Sequence, residues 1–106
     1  MPKYLISASY TPDGAKGLLK EGGSARRAAA EQLVTSVGAK MEAFYFAFGE
    51  NDAYVIIDAP DHATVAAASV AINASGAVRS KTVVLMTAEE VDQMSKKSAT
   101  YRAPGR

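Results

Sequence analysis

The stretch KMEAFYFAFGENDAYVIIDA, residues 40–59, decides how the rest of the chain is read. From Lys40 to Phe48 apolar side chains occupy both alternating sets, with Met41, Ala43, Tyr45 and Ala47 on one side and Phe44, Phe46 and Phe48 on the other. Successive strand residues point to opposite faces, so this pattern predicts a strand covered twice. Gly49-Glu50-Asn51-Asp52 is built of residues that tolerate turn conformations. Ala53–Ala59 then resumes the alternation, with Tyr54 and Ile56 against Val55 and Ile57, and the two segments predict a hairpin.

Outward from the hairpin, Lys3–Tyr10 alternates in the same way and stops at Thr11-Pro12-Asp13-Gly14, which predicts a first strand followed by a short helix capped by Thr11. Gly22-Gly23 breaks that helix, and Ser24 is expected to cap a longer one in which Ala30, Leu33, Val34 and Val37 share a buried face and Gly38 is the stop. Arg26, Arg27, Glu31 and Gln32 fall mostly elsewhere. After the hairpin, Asp61 caps a helix from Ala63 to about Ala74, a strand runs from Val78 to Met86, and Thr87-Ala88-Glu89-Glu90 reads as a capping box opening a last short helix. Strand, helix, strand, strand, helix, strand is the split βαβ plan of the ferredoxin-like α+β fold. It predicts an antiparallel sheet of order 4-1-3-2 with helices on one face. The domain is expected over 1–93, with 94–106 a basic tail.

Composition narrows the function. The 106 residues suit one domain. Twelve Lys and Arg against eleven Asp and Glu leave no basic excess for nucleic acid. No cysteine is present, which removes thiolate chemistry and cysteine-based metal sites, and fits a cytoplasmic location. The alanine-rich run from Ala63 to Ala71 falls well short of the roughly 20 residues a membrane helix needs, and Met1-Pro2-Lys3-Tyr4 leads straight into a strand without a secretion signal. No membrane partner is expected.

His62 is the only histidine. A lone imidazole without spaced partners makes no metal site, and its place in the first turn of a helix predicts a solvent-facing residue. Topology supplies a better candidate. The end of strand one and the starts of strands three and four share one edge of the sheet, which brings together Tyr10, Asp52 and Arg79, with Asn73 from the close of the second long helix. A phenol, a carboxylate, an amide and a guanidinium beside an apolar wall suit a small polar or anionic ligand. The simpler expectation is that Asp52 pairs with Arg79 or caps the Gly49 turn, fixing register.

Several of these segments resemble the GYD domain family: Tyr4 to Tyr10 with Thr11-Pro12-Asp13-Gly14-Ala15, the run Phe44 to Asp52, Asn73 to Arg79, and Thr87-Ala88-Glu89-Glu90. In the Gly-Tyr-Asp signature that names the family, Gly49 and Asp52 match and Asn51 stands in place of the tyrosine. The resemblance implies a plan similar to the dimeric α/β barrels, a group holding monooxygenases, isomerases and plain binding proteins. A homodimer or higher oligomer that binds a small molecule is therefore expected, with an enzyme of that barrel kind or a self-assembly module as the rival readings. No cofactor and no catalytic residue is assigned. Because no periodic apolar face continues past Lys97, truncation after that residue should leave the thermal unfolding midpoint within a few degrees of the full chain.

Overall fold

Tyr4, Ile6, Ala8 and Tyr10 alternate with Lys3, Leu5, Ser7 and Ser9, and the result is a strand with two unlike sides. In the computed structural model, which describes residues 1–106, this is β1 (Lys3–Tyr10). Thr11 caps α1 (Pro12–Glu21), its hydroxyl accepting from the Gly14 N–H at 3.3 Å, while Pro12 sits where a missing N–H costs nothing. Gly22, at φ 84°, ends α1 and leads directly into α2 (Gly23–Ser36). That angle suits glycine alone, so the expected cap at Ser24 moves two residues earlier to Gly22, with no side-chain capping bond.

The hairpin consists of β2 (Lys40–Phe46) and β3 (Ala53–Asp58), followed by α3 (His62–Ala74), β4 (Val78–Leu85) and α4 (Ala88–Ser95). Asp61 caps α3 by accepting from the Thr64 N–H at 2.8 Å. That bond holds its carboxyl below the ordinary range, so the cap stabilises the fold above about pH 4 and is lost as pH falls through the lowered value. At α4 both halves of the capping box form: Glu90 N–H donates to the Thr87 hydroxyl at 3.1 Å, and Thr87 N–H to the Glu90 carboxylate at 3.0 Å.

The sheet order is β2-β3-β1-β4 with every pair antiparallel, which is the expected 4-1-3-2 read from the other edge. α2 lies against β2 and α3 against β4, and the ferredoxin-like pattern fits. The core is the layer between them: Tyr4, Ile6, Val55 and Ile57 from the sheet, Val34 from α2 and Val65 from α3.

One sequence expectation changes in β2. The register shifts between Met41 and Ala43, where a bulge at Glu42 inserts one residue. Met41 pairs with buried Ile57 and packs on the core, on the same face as Phe44 and Phe46, rather than with Ala43 and Tyr45. Phe48 lies beyond the strand and is fully exposed.

The other face of the sheet has no helix on it. It presents Leu5, Ile56, Tyr45 and Tyr54, with Val83 of β4 half exposed. At one end Lys3 binds Asp58 at 2.8 Å and Glu42 at 3.1 Å, joining β1, β3 and β2. The Asp58 hydrogen bond first, then that of Glu42, holds the ammonium pKa above its ordinary value. Such partly exposed pairs fix geometry more than they stabilise.

At the opposite end α1 is stitched to the start of β4. Thr11 N–H donates to the Ala77 carbonyl at 3.0 Å, and the Thr11 hydroxyl to the Gly76 carbonyl at 2.8 Å. Gly14 is buried against this stitch, and a Cβ there would run into the Ala77 carbonyl oxygen. Gly14→Ala should therefore cost about 1–3 kcal/mol in urea unfolding, as overpacking does. Gly17→Ala, in the same helix but facing open space, should instead stabilise by about 0.5–1 kcal/mol.

Candidate functional site

Between the sheet and helices α2 and α3 lies a cavity of about 300 Å³. It exists because small residues stand where larger ones would fill the layer. Ala8 and Ala53 form its floor, Ala30 of α2 and Ala71 of α3 line it from the helices, and Ala77 stands at the end beside the α1 stitch. Ile6, Val34, Phe44 and Val55 carry the wall on into the core. The lining is apolar except for Arg26, Ser75, Ser80 and the Tyr10 hydroxyl.

Arg26 and Tyr10 are both partly exposed and give the cavity its polar rim. Burial pushes the Tyr10 hydroxyl pKa up, and the Arg26 charge pulls it back in part. The phenol is neutral at physiological pH, as at its ordinary pKa of about 10, and so can donate a hydrogen bond. It has no hydrogen-bond partner within the chain. Arg26 has one ionic partner, Glu21 across the α1–α2 junction at 3.5 Å, in a partly exposed pair of the weak kind. An anion at the cavity mouth would meet a guanidinium that is not firmly engaged.

The four residues brought together by topology divide. Tyr10 lines the cavity. Asp52 does reach the same strand end, where its carboxylate accepts from the Tyr10 backbone N–H at 2.8 Å and ties the end of β1 to the hairpin. Asn73 accepts from the Ser80 N–H at 2.8 Å and its hydroxyl at 3.2 Å, fixing the end of α3 to β4, and touches the cavity only through Ser80. Arg79 departs from the group. Val78 and Ser80 line the cavity, so the residue between them points to the open face, where it is registered with Ser9. Asp52 and Arg79 make no ion pair, and the register is held by the Asp52 bond to backbone.

Residue type alone does not single Arg26 out from the other charged residues of α2. Its signal was present: Arg26, Ala30, Leu33 and Val37 continue one stripe at helical spacing.

His62 is exposed in the first turn of α3, as expected, but its ring has an unforeseen partner. Its Nδ1 is 2.6 Å from the hydroxyl of Tyr4, which is only 1% exposed, and the two rings meet edge to face. The imidazole satisfies a phenol that the core would otherwise bury unpaired. The pair stands at one end of a shallower groove between α3 and β4, of about 440 Å³, where Ser69 and Thr82 hydroxyls meet at 3.1 Å. No group of three or more His, Asp or Glu side chains gathers in a way that would hold a metal ion. No helix is long and apolar enough to cross a membrane.

The signature positions have structural work. Asn51 accepts from the Ser9 hydroxyl at 3.3 Å and donates to the Tyr54 hydroxyl at 3.2 Å, while Asp52 binds Tyr10 as above. A search of curated proteins finds no match to this chain. The model of the GYD domain matches residues 4–95 of the 106, and the chain belongs to the GYD domain family.

Proposed function

We propose that this protein is a cytoplasmic, self-associating binding protein whose cavity takes a small molecule with an apolar body and one anionic or hydrogen-bond-accepting group. The observation that supports this most directly is the cavity between sheet and helices, apolar throughout its depth, with Arg26 and a free phenol at its rim. Its size sits at the lower end of ligand pockets, and a few polar groups on an apolar wall is their usual chemistry. A purely polar ligand fits this lining poorly, because desolvating it against alanine, valine and phenylalanine side chains has no compensation. An amphipathic one loses nothing on its apolar part.

Self-association has its own support in the uncovered face. Tyr45 is 71% and Val83 51% exposed, beside Leu5, Tyr54 and Ile56. Only 11 of 106 residues are buried, so a single copy leaves much of its apolar surface in water. A second copy of the chain would cover this face.

Two measurements check the reading. Anilinonaphthalene sulfonate, an apolar fluorophore with one anionic group, should bind the protein and be displaced by octanoate more readily than by octanol. Arg26→Met should weaken octanoate about tenfold, the scale of one charge-assisted contact, with little change for octanol. Ala71→Phe, which fills the cavity from the α3 side, should abolish both. Octanoate binding that survives Ala71→Phe would overturn the cavity as the site. For self-association, light scattering across a concentration series should show a species larger than one chain, and a folded monomer at every concentration would sink that part.

A further inference from the structure

α4 is a helix that its own domain does not hold. Every one of its residues is exposed, and it makes no packing contact of any extent with another element. It has eight residues, whereas isolated helices shorter than about 12–15 are marginal in water. The Thr87–Glu90 capping box fixes its start, but one cap does not offset the backbone entropy lost in ordering every residue of the helix. A surface must complete it.

The sequence of α4 says what kind of surface. Ala88, Val91 and Met94 recur at three-residue spacing along one side, and Val91 and Met94 are 42% and 51% exposed. Glu90 and Asp92 flank that stripe, Glu89 lies opposite it, and no basic residue offsets them within the helix. The open face of the sheet is complementary on both counts. Along β4 and β1 it offers Val83, Leu5 and Leu85 as an apolar strip, and on the same face Arg79 and Lys81 have no ion-pair partner.

We propose that α4 of one copy docks across β4 and β1 on the open face of a second copy, and that the exchange is reciprocal. One copy's Val91 and Met94 cover the other copy's Val83 and Leu5, and the flanking Asp92 and Glu90 lie beside Arg79 and Lys81. This rests on the self-association proposed above and names the element that performs it. Only Met86 and Thr87 separate β4 from α4, so the helix leaves past the end of the sheet. The longest extent of the molecule is 56 Å, about twice the roughly 27 Å of an eight-residue strand. A helix of this length, about 12 Å, crosses two to three strands. A two-fold arrangement uses both copies of each surface.

Sedimentation equilibrium of the full chain tests it. Val91→Asp with Met94→Asp should raise the dimer dissociation constant at least tenfold while leaving the unfolding midpoint of the dilute monomer unchanged, because both side chains are exposed within their own chain. Arg79→Glu with Lys81→Glu should weaken assembly likewise, as should Asp92→Lys, and combining the charge reversals on the two surfaces should recover part of the loss. A dimer whose dissociation constant is unmoved by the Val91 and Met94 changes overturns the docking of α4 and leaves self-association standing. A wild-type chain that stays monomeric overturns both. A variant whose monomer midpoint falls without any change in assembly overturns it too, since α4 would then dock on its own domain.

Discussion

Strand β1 is bonded on both sides, and the parity of its residues positions the rest of the molecule. Tyr4, Ile6, Ala8 and Tyr10 face the helices, and Lys3, Leu5, Ser7 and Ser9 face the open side. A slip of one residue against either neighbour would send the core to solvent and the serines inward, which is why its ends are pinned. At one end Lys3 holds Asp58 and Glu42, and at the other the Asp52 carboxylate takes the Tyr10 N–H. With β1 placed, Val78 and Ser80 must line the cavity and Arg79 must leave it.

The same geometry explains why a cavity can persist beside a core. Tyr4 and Ile57 are almost wholly buried at one end of the helix-facing layer, with Val34 and Val65 over them. Toward the Tyr10 end the floor narrows to alanine, and the helices present alanine back. Stability is concentrated where the residues are large, and space is left where they are small. The Thr11 and Gly14 stitch to Gly76 and Ala77 bounds the space at that end, beside its polar rim.

The turn that carries the family signature belongs to this arrangement. Asp52 binds backbone at the end of the central strand, a bond that a shorter or uncharged side chain would weaken. Asn51, where the family has tyrosine, reaches Ser9 and Tyr54 on the open face and so lies away from the cavity. The departure at that position therefore bears on the open surface and not on the cavity. Phe46, packed over Gly23 at the α1–α2 junction, links the hairpin to the helices on the other side.

Element types and order followed from local chemistry alone. Alternation marked the strands, Thr11, Asp61 and Thr87 marked helix starts, and the order of elements left essentially one sheet arrangement, because crossovers have a fixed hand. Local chemistry also placed Tyr10 and Asp52 at one end of the sheet. What it could not carry was parity across strands. The extra residue at Glu42 moves Met41 to the core side, and the pairing of Tyr10 with Val78 turns Arg79 to the open face. Neither the bulge nor that register leaves a trace in periodicity within one strand. Nor does the apposition of Arg26 and Tyr10, or of Tyr4 and His62, residues brought together only when a helix is laid on a sheet. Which segments are strands and helices depends on neighbours along the chain and is therefore legible in it; which faces those elements share depends on packing between residues far apart, and emerges only in the fold.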